Sequence, residues 1–543
     1  MTPPAVAVVA RLRPCYHRGP MADDRRASTT APSDPPAWQR HATVAPLYVA
    51  AALLVYFALS ASVYWAQAAR YPYGLENGEG WVLTSAVQLA SGQSPYGTLE
   101  DYPYVVGNYP PLYLLATAAA IRTWGFSPLY GRLLSLAALA VCAALVVLVA
   151  RRMGVAWLVA VLGGLYYLTI PGMRIVAPQV RVDMVAAALT FAGIAWLAWS
   201  EEGRGVVVPA VFFAAALSTK HSMVAAPAAA LAWLAWHDRP RAVRLALWTG
   251  GLTLAWLAAC WAVFGSVFFL NIGPYTTDIP WAWRNVVVIW KRALGVWYLP
   301  AIVATAAYAV WALRMGGPRD RLVAIYGLAV SATLVLVAKE GSSLLYLVEY
   351  SVAAALVLAC AVGRLLEAPA LKSPGRRLAA SLAVALSLFF LQVPLQGYPL
   401  SRRMWEAQRL WHFGWDALLK RDEQMISVIR RVEGPVLAEE PFYVLAAGKP
   451  VLANTFILKW LAQGGRWDER PLIRDIARHR FALIQLNAFA VPPEDRPMTD
   501  LERLNYRLTR VRFSPGVLRA IDLWYEVPGR LRDYPLGKIY VPK

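Results

Sequence analysis

Long apolar runs recur from residue 45 to residue 396, and they decide what this chain can fold into. A helix needs roughly 20 mostly apolar residues to cross the hydrocarbon core of a bilayer. Charged residues make up only 16% of the 543 residues, whereas a typical soluble domain carries about 25%. The sequence therefore predicts an α-helical polytopic membrane protein.

The apolar runs predict about 11–13 transmembrane helices, and twelve candidate spans can be placed. The spans at 110–124 and 155–170 are short for a full crossing. The predicted spans are 45–67, 110–124, 130–149, 155–170, 182–199, 205–218, 221–236, 244–264, 296–313, 322–338, 344–363 and 377–396.

The composition divides the chain into three parts. Residues 1–40 are rich in Pro, Ala, Ser and Arg without periodicity, which predicts a disordered N-terminal tail, with Met21 as an alternative start. Residues 41–399 form the transmembrane domain. Beyond residue 400, "VLAEEPFYVLAAGKPVLAN" and "RFALIQLNAF" predict short strands and "RPLIRDIARH" predicts a helix. Residues 400–543 therefore read as a small soluble C-terminal α/β domain.

The formal net charge of +20 does not indicate nucleic-acid binding. In a multi-span protein, excess Arg and Lys usually marks cytoplasmic loops and contacts with anionic lipid head groups. The basic residues do not form runs interleaved with aromatic residues. The four cysteines are scattered without metal-ligand spacing, and a disulfide framework is not expected.

Two connections between spans are long enough to be functional. Residues 68–109 form a long first external loop, in which "SAVQLASGQSPY" predicts a short amphipathic helix that ends at Gly92. Residues 265–295 are rich in aromatic residues, which suits a position at the membrane interface.

Ionisable residues within or beside spans are costly, a few kcal/mol each, and are functional hypotheses by default. Glu76 and Glu79 lie in "YGLENGEG" of the first loop, and Tyr109 lies in "GNYPPLY", which closes the same loop. A solvated acidic loop is the alternative interpretation. Arg181 and Asp183 head an apolar helix, where an Asp is also favoured by the helix dipole alone.

Two further polar clusters contain lysines, of which the whole chain has only nine. Lys220 and His221 lie side by side between apolar runs, either as a cationic pocket for a phosphate or as a short cytoplasmic turn.

The segment "KEGSSLLYLVE" brings Lys339, Ser342, Tyr346 and Glu349 to the start of a span. Tyr346 and Glu349 are three residues apart and share a helical face. A Glu facing lipid is untenable, so we expect this face to point to the protein interior or a cavity.

Five segments, in order, resemble those of the polytopic GT-C glycosyltransferases. They are "GEGWVLTSAVQLASGQSPY…NYPPLYLL", "GRLLSLAALA", "RVDMVAAALTFAG", "TKHSMVAAP" and "KEGSSLLYLVE", spanning roughly residues 70–365. The likeness is greatest to bacterial protein mannosyltransferases and lipid A aminoarabinose transferases. It implies inverting transfer of a sugar from a polyprenyl-phosphate carrier to a glycan, lipid or protein outside the bacterial cytoplasmic membrane, with an extracytoplasmic C-terminal domain.

The resemblance also implies roles for the acidic residues. Glu79 matches the carboxylate of the first external loop that acts as base or orients the acceptor, with Glu76 as its neighbour, and Asp183 matches the second acidic position. Such a base must come within hydrogen-bond reach of the acceptor hydroxyl. The first loop contains no DxD pair, so the motif does not support a divalent metal or any other cofactor.

The basic residues match the family's pattern less completely than the acidic residues do. The leaving lipid phosphate needs cations in a water-poor site, a role expected for Lys220 and Arg181. His221 stands where the family often has Gln, and Leu345 stands where a "GS…NYFLE" pattern has Asn.

Two rival functions share some of these features. A transporter or lipid flippase also needs intramembrane charges, but usually shows internal repeats. A surface-polysaccharide polymerase or ligase would be expected to have an Arg-rich external loop, whereas this first loop is acidic.

The glycosyltransferase hypothesis carries a topological condition. Glu79 and Asp183 can share a site only if an even number of crossings separates them. The twelve-span assignment has three, so 110–124 or 155–170 must not cross.

Overall fold

The computed structural model describes residues 37–200, 205–291, 298–392, 415–487, 512–528 and 537–543. Most of the predicted N-terminal tail lies outside these residues, and its last four residues already belong to the first helix, which begins at Ala37.

Helices form nearly all of the described chain before residue 393. They are α1 Ala37–Arg70, α2 Asn77–Ala90, α3 Leu112–Trp124, α4 Leu129–Arg152, α5 Trp157–Thr169, α6 Pro171–Val176, α7 Val182–Trp199, α8 Val207–Thr219, α9 Ala225–His237, α10 Arg239–Phe264, α11 Val267–Ile272, α12 Pro274–Thr277, α13 Trp283–Ile289, α14 Leu299–Met315, α15 Pro318–Ala332, α16 Val348–Glu367 and α17 Pro374–Gln392.

Among the described residues, six helices are long and apolar enough to cross a membrane. They are Ala42–Arg70, Leu129–Arg152, Val182–Trp199, Arg239–Phe264, Pro318–Ala338 and Leu344–Glu367. The helices Trp157–Thr169, Val207–Thr219 and Leu299–Met315 are apolar but shorter. These helices confirm a multi-pass membrane protein.

One end of the helix bundle is rich in arginine. The end of α4 meets the end of α16 there, because Arg364 donates to the Met153 carbonyl at 3.1 Å. Arg364 also pairs with Asp320 at the start of α15, at 3.1 Å. The end of α9 joins them, since the indole of Trp233 donates to the Pro318 carbonyl at 2.7 Å. We call this the arginine-rich end.

The C-terminal domain packs on the opposite end, which we call the domain end. Its strands are β1 Val436–Ala438, β2 Leu483–Asn487, β3 Tyr525–Glu526 and β4 Gly537–Pro542, in the order β1-β2-β4-β3. The pair β1–β2 is parallel and the other two pairs are antiparallel. Its helices are α18 Trp415–Arg431, α19 Pro441–Ala446, α20 Thr455–Gln463, α21 Arg470–Ala477 and α22 Pro515–Trp524.

The predicted span at 110–124 is wrong, because α3 does not cross the bundle. Its buried face packs against α2 in a cluster that includes Phe442 of the C-terminal domain. Phe126, just beyond α3, also lies beside Phe442, with ring centroids 5.9 Å apart. Both ends of α3 therefore lie at the domain end.

This position of α3 meets the topological condition. Between the first loop and Asp183, α4 runs from the domain end to the arginine-rich end. Helices α5 and α6 together return, because Ser135 near the start of α4 donates to the Gln179 carbonyl just beyond α6 at 2.8 Å. Two crossings are an even number, so the first loop and the start of α7 lie at the same end of the bundle.

A fully buried ion pair fixes the first loop to the bundle. Glu79 in α2 accepts from the Arg132 guanidinium of α4 at 3.1 and 2.9 Å, and both side chains are 0% exposed. The backbone N–H groups of Leu75 and Val180 donate to the same carboxylate at 2.6 and 2.7 Å. Arg132 donates in addition to the Ala68 carbonyl at 2.9 Å. A buried pair survives when hydrogen bonds satisfy both charges, as they do here.

Removing the Glu79 carboxylate should therefore destabilise the folded protein. We expect Glu79→Ala to lower the free energy of unfolding by about 3–5 kcal/mol, because it leaves the Arg132 guanidinium buried without its counter-charge. Thermal melting of the purified protein measures this loss. Asp468→Ala is the matched control, since Asp468 pairs with Arg470 at 2.8 Å with side chains 50% and 82% exposed. Equal melting temperatures for the two variants would contradict this role of Glu79.

Candidate functional site

A cavity of about 260 Å³ opens at the domain end, between the bundle and the C-terminal domain. Its walls come from the start of α2, the start of α7, the end of α8, the segment before α16 and the C-terminal domain. Most of the residues singled out from the sequence line it, namely Glu76, Tyr109, Arg181, Asp183, Lys220, His221, Lys339 and Tyr346.

Antiparallel helices bring Asp183 and Lys220 together. Asp183 is in the first turn of α7 and Lys220 directly follows α8, and these two helices pack against each other. The Lys220 ammonium lies 2.6 Å from Asp183 Oδ1, and the two side chains are only 9% and 2% exposed. The same ammonium lies 4.9 Å from the centre of the Tyr346 ring. The lysine charge is thus held by a carboxylate and an aromatic face.

Arg181 connects the two carboxylates of the cavity. Its Nη1 lies 3.8 Å from Glu76 Oε2, and its Nε lies 3.8 Å from Asp183 Oδ2. Its Nη2 donates to the Tyr109 hydroxyl at 3.4 Å. Glu76 is the N-cap of α2, where Oε2 accepts from the Gly78 N–H at 2.8 Å, and its side chain remains 40% exposed.

Lys339 differs from the other cations of the cavity. Its ammonium donates to the Thr276 carbonyl at 2.8 Å, and no carboxylate of the described chain lies within ion-pair distance of it. The neighbouring Glu340 pairs instead with Arg284, at 3.3 Å. Lys339 therefore brings a positive charge to the cavity that the described residues do not neutralise.

Three of the residues singled out from the sequence do not line the cavity. Glu79 is held by Arg132 behind the wall. Ser342 donates to the Val337 carbonyl and so shapes the turn before α16. Glu349 is 7% exposed in the first turn of α16, and its Oε1 has no hydrogen-bond partner in the described part of the chain. Of the two acids in "YGLENGEG", Glu76 lines the cavity and Glu79 does not.

Comparison with known proteins settles the fold. No protein-family model and no curated protein sequence matches the chain. The structure is similar to ArnT from Cupriavidus metallidurans bound to undecaprenyl phosphate, with a TM-score of 0.56 and 13% identity over 90% of this chain and 98% of that one.

It is also similar to the apo oligosaccharyltransferase of Archaeoglobus fulgidus, with a TM-score of 0.52 and 10% identity over 93% of this chain and 75% of that one. Both are GT-C glycosyltransferases. This chain has the GT-C fold.

The C-terminal domain forms one wall of the cavity. The sequence did not indicate this contact. Asn454, Phe456, Ile457 and Arg512 all line the cavity. These residues are far along the chain from the first loop, and short strand and helix patterns say nothing about what a domain packs against. Arg132 was also missed, although it lies within the "GRLLS" segment that carried the resemblance.

Tight packing joins that wall to the turn before α16. The ring of Phe456 approaches Gly341 so closely that a Cβ there would lie 2.4 Å from Cζ. Gly341 also has a φ of +74°, a backbone conformation that residues with a side chain rarely adopt. The backbone of Asn454 donates to the Tyr104 carbonyl at 2.8 Å and ties the same wall to the first loop.

We expect Gly341→Ala to reduce activity and melting temperature by displacing Phe456 from the cavity. Gly92→Ala is the matched control, because Gly92 has a φ of +76° and nothing within 4 Å of its added Cβ. Both variants carry the backbone strain of about 1 kcal/mol or more. Only Gly341→Ala adds the clash, so equal effects on both measurements would argue against packing at this position.

A carboxylate of the C-terminal domain also contacts the first loop. Glu440 Oε2 accepts from the Asn77 amide at 2.9 Å, while Oε1 is buried without a hydrogen-bond partner in the described chain. Burial raises the pKa of Glu440 to about 7, against the opposing effect of Arg512. The carboxyl group therefore titrates near neutral pH.

This titration predicts how stability depends on pH. A carboxyl whose pKa is raised on folding binds its proton more tightly in the folded state, so its contribution to stability falls as pH rises from about 4.5 to about 7. We expect Glu440→Gln to remove this loss. Melting temperatures of wild type and variant should diverge across that interval, with the variant more stable at pH 8, and parallel curves would contradict the assignment.

Proposed function

We propose that this protein is a membrane glycosyltransferase that moves a sugar from a polyprenyl-phosphate carrier to a hydroxyl of an acceptor. One observation carries the proposal: the cavity of a GT-C fold gathers the carboxylates of Glu76 and Asp183 with the cations of Arg181, Lys220 and Lys339. A carboxylate accepts the proton of the attacking hydroxyl, and cations stabilise the charge on the leaving phosphate, so the reaction needs both.

The distribution of basic residues supports a cavity that faces away from the cytoplasm, as expected in a bacterial cytoplasmic membrane. Short cytoplasmic loops of membrane proteins carry an excess of Lys and Arg. The basic residues at the arginine-rich end are Arg151, Arg152, Arg239, Arg241, Arg244, Arg314, Arg319, Arg321, Arg364, Lys372, Arg376 and Arg377. The domain end would then be extracytoplasmic, together with the C-terminal domain.

In this proposal, Lys339 makes the first contact with the donor phosphate. A phosphodiester carries one negative charge, and Lys339 is the cation on the bundle wall that lacks a carboxylate partner among the described residues. Lys220 is already paired with Asp183 at 2.6 Å, so it gains a phosphate contact only as that pair loosens. The ArnT structure with undecaprenyl phosphate supports a lipid phosphate as the ligand.

Glu76 is the candidate base. Its side chain is 40% exposed to the cavity, and only Oε2 is occupied, by the Gly78 N–H. Asp183 lies between Lys220 and Arg181, 2.6 Å from the Lys220 ammonium and 3.8 Å from Arg181 Nε. Asp183 would therefore hold the two cations and orient the acceptor.

The proposed step conserves atoms and charge. The acceptor oxygen attacks the anomeric carbon and gives its proton to Glu76. The bond between that carbon and the phosphate oxygen breaks, and its electron pair leaves on the lipid phosphate. Lys339, Lys220 and Arg181 stabilise the charge that develops there. Attack opposite to the leaving group inverts the anomeric centre.

Turnover of defined donors tests the proposal. With purified protein, undecaprenyl-phosphate sugars and an envelope extract as acceptor, we expect Glu76→Gln to lower kcat by about 10²–10⁴-fold, the usual contribution of a general base. Asp183→Asn should lower kcat, because Lys220 and Arg181 lose the carboxylate that holds them, while KM for the donor should not rise, because the freed Lys220 can still contact the phosphate.

Glu367→Gln is the matched control, because Glu367 is 56% exposed at the arginine-rich end. Wild-type turnover in Glu76→Gln would remove Glu76 as base. Movement of labelled lipid-linked sugar across vesicles without any transfer would favour a flippase.

A further inference from the structure

The C-terminal domain contributes one guanidinium to the cavity, and the mechanism above does not use it. Arg512 is half-buried and lines the same cavity as Lys220 and Lys339. In the described chain, no carboxylate lies within ion-pair distance of its side chain. It is therefore a second cation, beside Lys339, whose charge the described residues leave unpaired.

The backbone around Arg512 is fixed by the domain itself. The main-chain N–H of Arg512 donates to the buried carboxylate of Glu439. The next residue, Phe513, is 2% exposed in the core of the domain. Ser514 then caps α22, accepting from the Val517 N–H at 3.2 Å. Such anchoring fixes the Arg512 backbone before a ligand arrives and lowers the entropic cost of binding.

The acids near Arg512 are engaged by other groups, except that Glu440 Oε1 has no hydrogen-bond partner in the described chain and Glu439 accepts from the Arg512 main chain. Glu440 is the acid of the same domain that faces it, and its Oε2 is occupied by Asn77 at 2.9 Å. Glu76 lies 3.8 Å from Arg181, and Glu340 lies 3.3 Å from Arg284. An anionic group entering the cavity would thus meet Arg512 without displacing an internal ion pair.

We propose that Arg512 forms a second anion subsite of this cavity, which binds a phosphate or carboxylate group carried by the acceptor. The inference rests on the proposed function and extends it to the class of acceptor. The planar guanidinium suits bidentate recognition of such groups. Asn454 and Phe456 line the cavity from the same domain and add an amide and an apolar ring beside it.

The position of Arg512 on the wall formed by the C-terminal domain favours contact with the acceptor over contact with the donor. The donor phosphate must lie at membrane level, where the bundle supplies Lys220, Lys339 and Arg181. Arg512 belongs to the C-terminal domain, which covers the bundle from outside the spans. An acceptor arriving from that side reaches Arg512 while the lipid phosphate occupies the bundle wall.

Binding to the full-length protein tests this subsite. The protein is placed in phosphatidylcholine nanodiscs and saturated with undecaprenyl phosphate, and inorganic phosphate is titrated by calorimetry. We expect Arg512→Gln to weaken phosphate binding about tenfold or more, since charge-assisted hydrogen bonds are lost, and Arg512→Lys to restore part of it. Arg480→Gln is the control and should change nothing, because Arg480 pairs with Asp475 at 2.9 Å and packs on Tyr102 away from the cavity.

Two further titrations identify the source of the anionic group. Glucose 6-phosphate represents a soluble glycan phosphate, and phosphatidic acid in the nanodisc represents a lipid phosphate. The source whose affinity falls in Arg512→Gln, and stays unchanged in Arg480→Gln, is the one that this subsite binds.

Two outcomes would overturn the proposal. Undiminished phosphate binding in Arg512→Gln would remove the subsite. A loss of affinity for undecaprenyl phosphate or undecaprenyl diphosphate in the same variant would place Arg512 in the donor site instead. The proposed function fails separately: wild-type protein that does not bind undecaprenyl phosphate would count against it, whereas phosphate titration of lipid-free protein would still measure Arg512.

Discussion

The buried pair of Glu79 and Arg132 is the interaction on which the site depends. Both side chains are 0% exposed, and the carboxylate also takes the N–H groups of Leu75 and Val180. It therefore joins the first loop, α4 and the segment before α7 at one point. Glu76 lies three residues before Glu79, and Arg181 directly follows Val180. The 3.8 Å distance from Glu76 Oε2 to Arg181 Nη1 therefore depends on the pair of Glu79 and Arg132.

Charges in the cavity are arranged in two classes. Asp183, Lys220, Arg181 and Glu76 form a connected set in which each cation has an acidic partner. Lys339 and the Arg512 guanidinium lack such partners in the described chain and belong to different walls. A connected set keeps its geometry when the cavity is empty, while unpaired cations attract anionic ligands. Under the proposed function, the two classes would separate the positioning of the reacting groups from the binding of the substrates.

The C-terminal domain is part of this arrangement. Phe456 packs on Gly341, and the backbone of Asn454 pairs with Tyr104 of the first loop. The domain therefore closes a cavity whose other walls come from the bundle. Segments separated by hundreds of residues thus line one cavity.

The sequence by itself determined that the chain is a multi-pass helical membrane protein, because the length of an apolar run is a local property. It also indicated most of the polar residues that line the cavity, because a charge beside a span is costly wherever the helix packs. The resemblance carried by the five ordered segments is confirmed at the level of the fold.

Only the tertiary structure decided which of the two acids in "YGLENGEG" faces the cavity. That choice depends on the rotation of α2 and on the distant partner Arg132, and neither leaves a local pattern. The same holds for α3, whose apolar residues pack on α2 and the C-terminal domain instead of lipid. It holds also for Arg512, whose contact with the cavity arises from how a separate domain docks on the bundle.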